Sequence, residues 1–294
     1  MGTPERTTEL GTRLVWQCGV HAVELGDRTV LMGILNVTPD SFSDGGRFFE
    51  VDAAVDRALQ LRDDGATIVD IGGESTRPGA DPIPSEEEIR RVAPVVERLQ
   101  AEAPDLVLSV DTSKAAVARA AVDVGASIVN DVSAGRDPRM LDAVASTRAG
   151  YVAMHMQGEP GTMQADPHYS DVVEDVRSFL GDRLRAAEQA GIQRDRLCVD
   201  PGLGFGKTLE HNLALLRDIH RIVELGVPVL AGPSRKRFIG TLTGAEDPAD
   251  RVEGTAAVVA WLVAQGTHIV RVHDVREMTR VVQVVDAIVL GSAP

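Results

Sequence analysis

Short β-branched or aliphatic runs recur along the chain at residues 30–37, 67–71, 106–110, 127–132, 151–155, 197–199, 227–231 and 268–272. They are near-continuously apolar, as in parallel strands covered on both faces, where a half-solvated sheet would alternate. Helical periodicity fills the intervals. In 85–99, Ile89, Val92, Val96 and Leu99 recur at spacings of three and four, Ser85 and Glu88 read as a capping box, and Pro94 predicts a kink. A second helix-like stretch covers 212–223. Gly65, Gly125 and Gly266 each stand between a helical stretch and the next run, where a left-handed cap belongs. Eight strands alternating with helices through short connections predict an α/β fold, a (β/α)8 TIM barrel rather than a doubly wound sheet. Residues 1–28 read as an N-terminal extension or small hairpin over the barrel bottom, and 29–294 as the barrel domain.

Chemistry in such barrels sits where the strands end. Asn36, Asp70, Asp111, Asn130, Asp131, His155, Asp200, Ser234, Lys236, Arg271, His273 and Asp274 all stand where an apolar run stops. Loops begin polar in any protein, which explains one such residue but not a ring of them. Composition keeps the chain in one domain: 294 residues, 44% hydrophobic, with no Pro/Ser-rich linker or block of like charge inside the barrel segment. A net charge of −14 opposes nucleic acid and anionic membranes as partners. No apolar stretch approaches the ~20 residues of a bilayer span, and the start lacks a secretion signal, so the cytoplasm is the expected compartment. Cys18 and Cys198 form no close pair and read as ordinary thiols. Lysine occurs three times, at Lys114, Lys207 and Lys236, each just past an apolar run, while arginine fills the other twenty-seven cationic positions. The three together point to a site. Lys114 by itself reads as a first-turn helix residue, and Lys207 as a brace for a glycine turn.

That turn, Gly202-Leu-Gly-Phe-Gly206-Lys207-Thr208, invites a phosphate-loop reading, but Pro201 stands where the first Walker glycine belongs. The glycines instead bring backbone close to a ligand. His155 and His273 lack the neighbours of a structural zinc site. Asn36, a neutral oxygen donor, suits a Mg2+ ion that arrives with substrate phosphates and keeps most of its water. Arg271 and His273 are two apart, so they share a face and can hold an anion. Ser234-Arg235-Lys236-Arg237 lies between the seventh run and a helix, where free N–H groups favour an anion. A patch of Arg77, Lys236, Arg237, Arg271 and His273 would focus an anionic small molecule against the overall charge. Asp111, Asn130 and Asp200 offer what a flat heterocycle with N–H groups needs.

Eight segments in order resemble the dihydropteroate synthase family: Met32-Gly-Ile-Leu-Asn-Val-Thr-Pro-Asp-Ser-Phe-Ser-Asp-Gly-Gly46, Asp70-Ile-Gly-Gly-Glu-Ser-Thr-Arg-Pro-Gly79, Ser109-Val-Asp-Thr112, Asn130-Asp-Val132, Met154-His-Met156, Asp200-Pro-Gly-Leu-Gly-Phe205, Ser234-Arg-Lys236 and Arg271-Val-His-Asp274. The resemblance implies a transferase of folate biosynthesis that joins 6-hydroxymethyl-7,8-dihydropterin diphosphate to 4-aminobenzoate, releasing diphosphate. It implies a pterin pocket of Asp111, Asn130, Met154, Asp200, Phe205 and Lys236. The diphosphate would lie on Asn36, Arg271 and His273 with Mg2+. The 4-aminobenzoate would lie among Phe42, Ser75, Thr76, Arg77, Pro78, Ser234 and Arg237, and the catalytic set would be Asp111, Lys236, Asp40 and Arg271. It further implies a homodimer and a sulfonamide target. Family members often carry a small hydroxyl residue where Arg237 stands. The alternatives are a pterin-dependent methyltransferase, against which Lys236 and the Arg271/His273 pair argue, and a catalytically silent relative.

Overall fold

The computed structural model describes residues 13–38, 46–75, 82–159 and 161–291. Two short strands, β1 (Leu14–Cys18) and β2 (His21–Leu25), pair antiparallel as a hairpin. Eight parallel strands follow: β3 (Val30–Asn36), β4 (Ile68–Gly72), β5 (Val107–Asp111), β6 (Ile128–Asp131), β7 (Gly150–Met154), β8 (Leu197–Asp200), β9 (Leu230–Ala231) and β10 (Ile269–Val272). Their order is β8-β7-β6-β5-β4-β3-β10-β9, and a bridge from Val199 to Val229 closes the ring into a TIM barrel. The seventh apolar run shrinks to two ladder residues. Pro228 has no N–H to give a neighbouring strand, so regular pairing begins only beyond it.

Ten helices are seen among the described residues: α1 (Gly46–Asp63), α2 (Ser85–Glu102), α3 (Ala115–Asp123), α4 (Met140–Ala145), α5 (Val172–Gln189), α6 (Leu209–Arg217), α7 (His220–Val223), α8 (Arg237–Thr243), α9 (Val252–Ala264) and α10 (Val275–Leu290). Gly65, Gly125 and Gly266 take positive φ of 116°, 120° and 90° just past α1, α3 and α9, as a left-handed cap requires. α2 runs unbroken through Pro94, and its start differs from the sequence reading. Pro84, not Ser85, caps it, and no side chain bonds the cap. Glu88 is buried instead of reaching back to the first turn. No helix among the described residues is long and apolar enough to cross a membrane.

The near-continuous apolar runs conceal an alternation that sets up the site. One set of strand residues, among them Val69, Ile71, Leu108, Val110, Val129, Ala153, Val199, Val270 and Val272, packs outward against the helices. The other set faces the barrel axis and changes character along each strand. At the bottom it is apolar: Val30, Met32, Ile68, Val107, Ile128, Val152, Cys198, Leu230 and Ile269 form one cluster with Trp16, Cys18, Val23 and Leu25 of the hairpin. The hairpin therefore plugs the lower mouth, fixed by the Trp16 indole donating to the Arg196 carbonyl at 2.9 Å. Both cysteines are free thiols in this plug. Two residues higher, four strands turn polar on the axis side, at Asp70, Asn130, Asp200 and Arg271, and Asp111 stands four residues above Val107. Burial of the lower layers supplies the free energy that tolerates these polar groups above.

Candidate active site

The register ladders place the polar residues in neighbouring pairs. Asp111 on β5 lies beside Asn130 on β6, and Met154 on β7 beside Asp200 on β8. Above them opens a cavity of about 1240 Å3 lined by Asn36, Ser75, Asp111, Phe205, Ser234, Lys236, Arg237, Arg271 and His273, among others. Nine of the residues singled out in the sequence thus share one space. Asn130, Met154 and Asp200 are buried deeper and do not line it. Asp40, Phe42, Thr76, Arg77 and Pro78 lie outside the described residues.

An ion network crosses the barrel along the cavity floor. Arg271 donates from Nε to Asp70 Oδ2 at 2.6 Å and from Nη2 to Asp111 Oδ2 at 2.7 Å, leaving Nη1 uncommitted among the described residues. Asp70 Oδ2 also accepts from Asn130 Nδ2 at 2.9 Å. Asp70, which the sequence reading placed on the rim without a role, is therefore the residue that orients both Arg271 and Asn130. The sequence carries no local signal for this role, since Arg271 is 201 positions away and Asn130 60. Asp70 Oδ1, Asp111 Oδ1 and Asn130 Oδ1 are buried without a partner among the described residues. Three unpaired acceptors in one layer are costly unless a ligand or water brings donors.

Burial dominates the titration of these groups. It raises Asp111 to about 7 despite Arg271, with Asp70 and Glu88 adding to the rise. It raises Asp200 to about 6, against the Gly202 N–H that donates to its Oδ1 at 2.7 Å. Lys236 falls to about 8 through burial and the nearness of Arg271. His273 falls to about 3, driven by burial and then by Arg271 and Arg235, so at neutral pH it is an uncharged imidazole. Its Nδ1 lies 2.9 Å from Ser234 Oγ, which also accepts from the His273 backbone N–H at 3.1 Å. Ser234 thereby joins the loop after β9 to the end of β10.

Two ammonium groups hold the glycine turn after β8. Lys207 is buried and donates to the carbonyls of Gly202 and Phe205, each at 2.9 Å, and its Nζ lies 3.0 Å from His155 Nδ1. Burial lowers the Lys207 pKa to about 7 and, with Lys207 beside it, depresses that of His155, and these contacts show the bracing role read from sequence. Lys236 Nζ sits 3.8 Å above the Phe205 ring, a cation–π contact that fixes the aromatic wall. Between Ser234 and Lys236, Arg235 takes φ +57°, rare for a side-chain-bearing residue, and is held there by a two-bond pair with Asp274. Asp131, counted with the rim in sequence, instead faces outward and bonds Ser133, Gly135 and Tyr151. Lys114 is no bystander either: it caps α3 and bonds Glu74, Glu88 and Ile83.

The arrangement offers buried acceptors beside cations at the mouth of one cavity, suited to a heterocycle bearing an anionic group. The chain as a whole is similar to known proteins. The sequence family described as pterin binding enzyme matches residues 32–273. A dihydropteroate synthase of Synechocystis is 44% identical over 92% of this chain and 93% of its own length. The structure of a Xanthomonas albilineans dihydropteroate synthase with 4-aminobenzoic acid superposes at a TM-score of 0.88, with 51% identity over 96% of this chain and all of that one. Another structure of the Xanthomonas albilineans synthase, in complex with 7,8-dihydropteroate, gives 0.81 at 49% identity over 91% and 95% of the two chains.

Proposed function

We infer from its membership of the dihydropteroate synthase family of pterin-binding enzymes, to which this chain belongs, that it condenses 6-hydroxymethyl-7,8-dihydropterin diphosphate with 4-aminobenzoate. The products are 7,8-dihydropteroate and diphosphate, a transferase step in folate biosynthesis. The observation that carries the reading at the level of side chains is the layer of unpaired acceptors on β4, β5 and β6 at a cavity lined by Arg271 and Lys236. Acceptors match the N–H-rich edge of a pterin, and cations match its diphosphate.

In this assignment Asp111, Asn130, Asp200 and Lys236 bind the pterin ring, with Met154 and Phe205 against its faces. Asn36, Arg271 through its uncommitted Nη1, and His273 bind the diphosphate. Ser75, Ser234 and Arg237 face the 4-aminobenzoate, together with Phe42, Thr76, Arg77 and Pro78 from the connections beyond the described residues. The aniline nitrogen is a nucleophile at neutral pH, so no Ser, Cys or His nucleophile is needed. The C–O bond to the diphosphate breaks with its electron pair leaving on oxygen. The aniline nitrogen forms the new C–N bond and loses a proton to water or the departing diphosphate. Asp111 stabilises the positive charge that spreads over the pterin, and Arg271 and Lys236 stabilise the departing anion. Asp40 belongs to the proposed catalytic set as well.

Mg2+ fits this site as a companion of the substrate. Among the described residues no three His, Cys, Asp or Glu side chains converge on one point. Asn36 contributes a single neutral oxygen at the cavity wall, which suits an ion held mainly by phosphate and water. When bound, it would neutralise the leaving oxygens.

The direct test mixes pure protein, dihydropterin diphosphate, 4-aminobenzoate and Mg2+ and follows diphosphate. Release that depends on 4-aminobenzoate is expected; none at high enzyme concentration overturns the assignment.

The titrations predict a narrow pH optimum. Asp200 and Asp111 must be ionised to accept from the pterin, so kcat/KM for dihydropterin diphosphate climbs as pH passes about 6 and about 7. Lys236 must be charged, so the profile falls beyond about 8. In Lys236→Arg the acid limb stays and the alkaline limb moves out of range while turnover drops, because a guanidinium is too bulky above Phe205. An unmoved alkaline limb would remove Lys236 from the profile.

A homodimer is also proposed. Trp261 on α9 is 46% exposed, and Val284 and Ile288 on the adjacent helix α10 are 61% and 75% exposed, apolar surface that a second copy would cover. Sedimentation should find two copies of the wild-type chain, and Trp261→Glu should shift the protein toward monomer with its circular dichroism intact.

A further inference from the structure

The half-buried cluster around Lys114 lies behind the cavity wall, at the foot of the connection between β4 and α2. Its ammonium has three acceptors: Glu74 Oε2 at 3.0 Å, Glu88 Oε2 at 2.6 Å and the Ile83 carbonyl at 2.8 Å. The other oxygen of Glu74 accepts from the Ile83 N–H at 2.7 Å. Glu88 is wholly buried, and its Oε1 has no partner among the described residues. Glu74 itself lines the cavity and is followed by Ser75, which lines it too.

A buried carboxylate needs a cation, and that alone explains why Lys114 meets Glu88. It does not explain the other two contacts. Glu74 and Ile83 stand at the two ends of one connection, bond each other, and both bond the same nitrogen. That nitrogen belongs to the residue three past Asp111, on the turn that β5 feeds into α3. One ammonium thus joins the end of β4, the entry to α2 and the strand carrying Asp111. Three acceptors converging on a point suit a tetrahedral ammonium and not a planar guanidinium, which gives a reason for lysine in a chain that otherwise uses arginine.

We propose that Lys114 is a positioning residue for the 4-aminobenzoate half of the site: by clasping Glu74 to Ile83 it fixes Ser75 and the cavity wall beside it against Asp111 on the pterin side. This deepens the synthase reading and rests on it.

The test separates positioning from charge neutralisation. Lys114→Met leaves Glu88 buried and unpaired and lowers Tm steeply. Lys114→Met combined with Glu88→Met replaces the buried pair by apolar side chains of similar length, which restores Tm to near wild type. In this double variant KM for 4-aminobenzoate rises about ten- to a hundredfold, as a wall displaced by about an ångström would cause. KM for dihydropterin diphosphate stays within about twofold. Lys114→Arg does not restore the aminobenzoate KM. A double variant with wild-type Tm and wild-type KM for 4-aminobenzoate overturns the proposal, since Lys114 would then only neutralise Glu88. Equal rises in both KM values overturn it as well, since the barrel itself would be distorted. Failure of the underlying reading shows differently, as wild-type protein that releases no diphosphate.

Discussion

Arg271→Met lowers the free energy of unfolding by about 3–5 kcal/mol at pH 8 and abolishes 4-aminobenzoate-dependent diphosphate release. Arg271 is the shared partner of two buried carboxylates, at 2.6 Å from Asp70 and 2.7 Å from Asp111. Without it, Asp70 retains only the Asn130 amide, and Asp111 loses its one charged hydrogen bond. Removing one member of a buried ion network costs far more than the network contributes, because uncompensated charge stays behind in low dielectric. The sign with pH is fixed by Arg271 being a group that lowers the Asp111 pKa. In the variant Asp111 rises further above 7, so between its unfolded value near 3.8 and that raised value the folded state binds more protons than the unfolded. Stability therefore falls as pH rises through this window; wild type shares that fall up to about pH 7, so the extra deficit of the variant from Asp111 opens above it. Urea unfolding at both ends reads it. Adding Asp70→Asn removes one stranded charge and recovers part of the stability, with no recovery of turnover, because the diphosphate still lacks its cation. A variant as stable as wild type at pH 8 would show that water, not Arg271, satisfies these carboxylates.

How much of this was legible in the sequence depends on the range of the interaction. All eight strands appear as apolar runs because each is covered on both faces, and the caps after α1, α3 and α9 appear because positive φ selects glycine. The residues around the cavity were found through strand ends and through likeness to a family. What the sequence concealed was which polar residue meets which. Ser85 and Glu88 have the spacing of a capping box, yet Pro84 caps the helix and Glu88 turns inward to a lysine twenty-six positions away. Lys114 has the local look of a solvated first turn, and only the return of α2 over β5 makes it a half-buried hub. Asp70 reads as one acidic strand end among several until the ring brings β10 round beside β3 and aims Arg271 across the barrel. Local propensity governs elements, whereas ion pairs at separations such as 160 and 201 residues exist only once the barrel closes. The scarcity of lysine did point to this region: all three turn out to hold a wall of the cavity, Lys236 on Phe205, Lys207 beneath the turn and Lys114 behind Glu74.

Gly202→Ala should be as damaging as any single methyl added to this chain. Gly202 has φ +66°, and a Cβ there would lie 1.9 Å from the carbonyl oxygen of His155. That oxygen is backbone and cannot swing aside. The His155 N–H is bonded to the Asp200 carbonyl at 2.9 Å, which ties the ends of β7 and β8 together. Relief therefore requires moving the turn, and the turn carries the N–H that orients Asp200, the carbonyl that accepts from Lys207, and Phe205 itself. The strain of positive φ costs about 1–2 kcal/mol and the overpacking about 1–3 kcal/mol, so about 2–5 kcal/mol of stability is lost. Because Asp200 and Phe205 shift together, pterin binding should weaken by about a hundredfold in calorimetry. Gly244 separates the two causes. It has φ +76° at the end of α8, with nothing within 4 Å of an added Cβ. Gly244→Ala should cost only the conformational part, about 1 kcal/mol, and leave pterin affinity unchanged. Were the two alanine variants equally stable and equally active, the constraint on Gly202 would be its φ alone, and the close approach of the turn to His155 would play no part in holding Asp200.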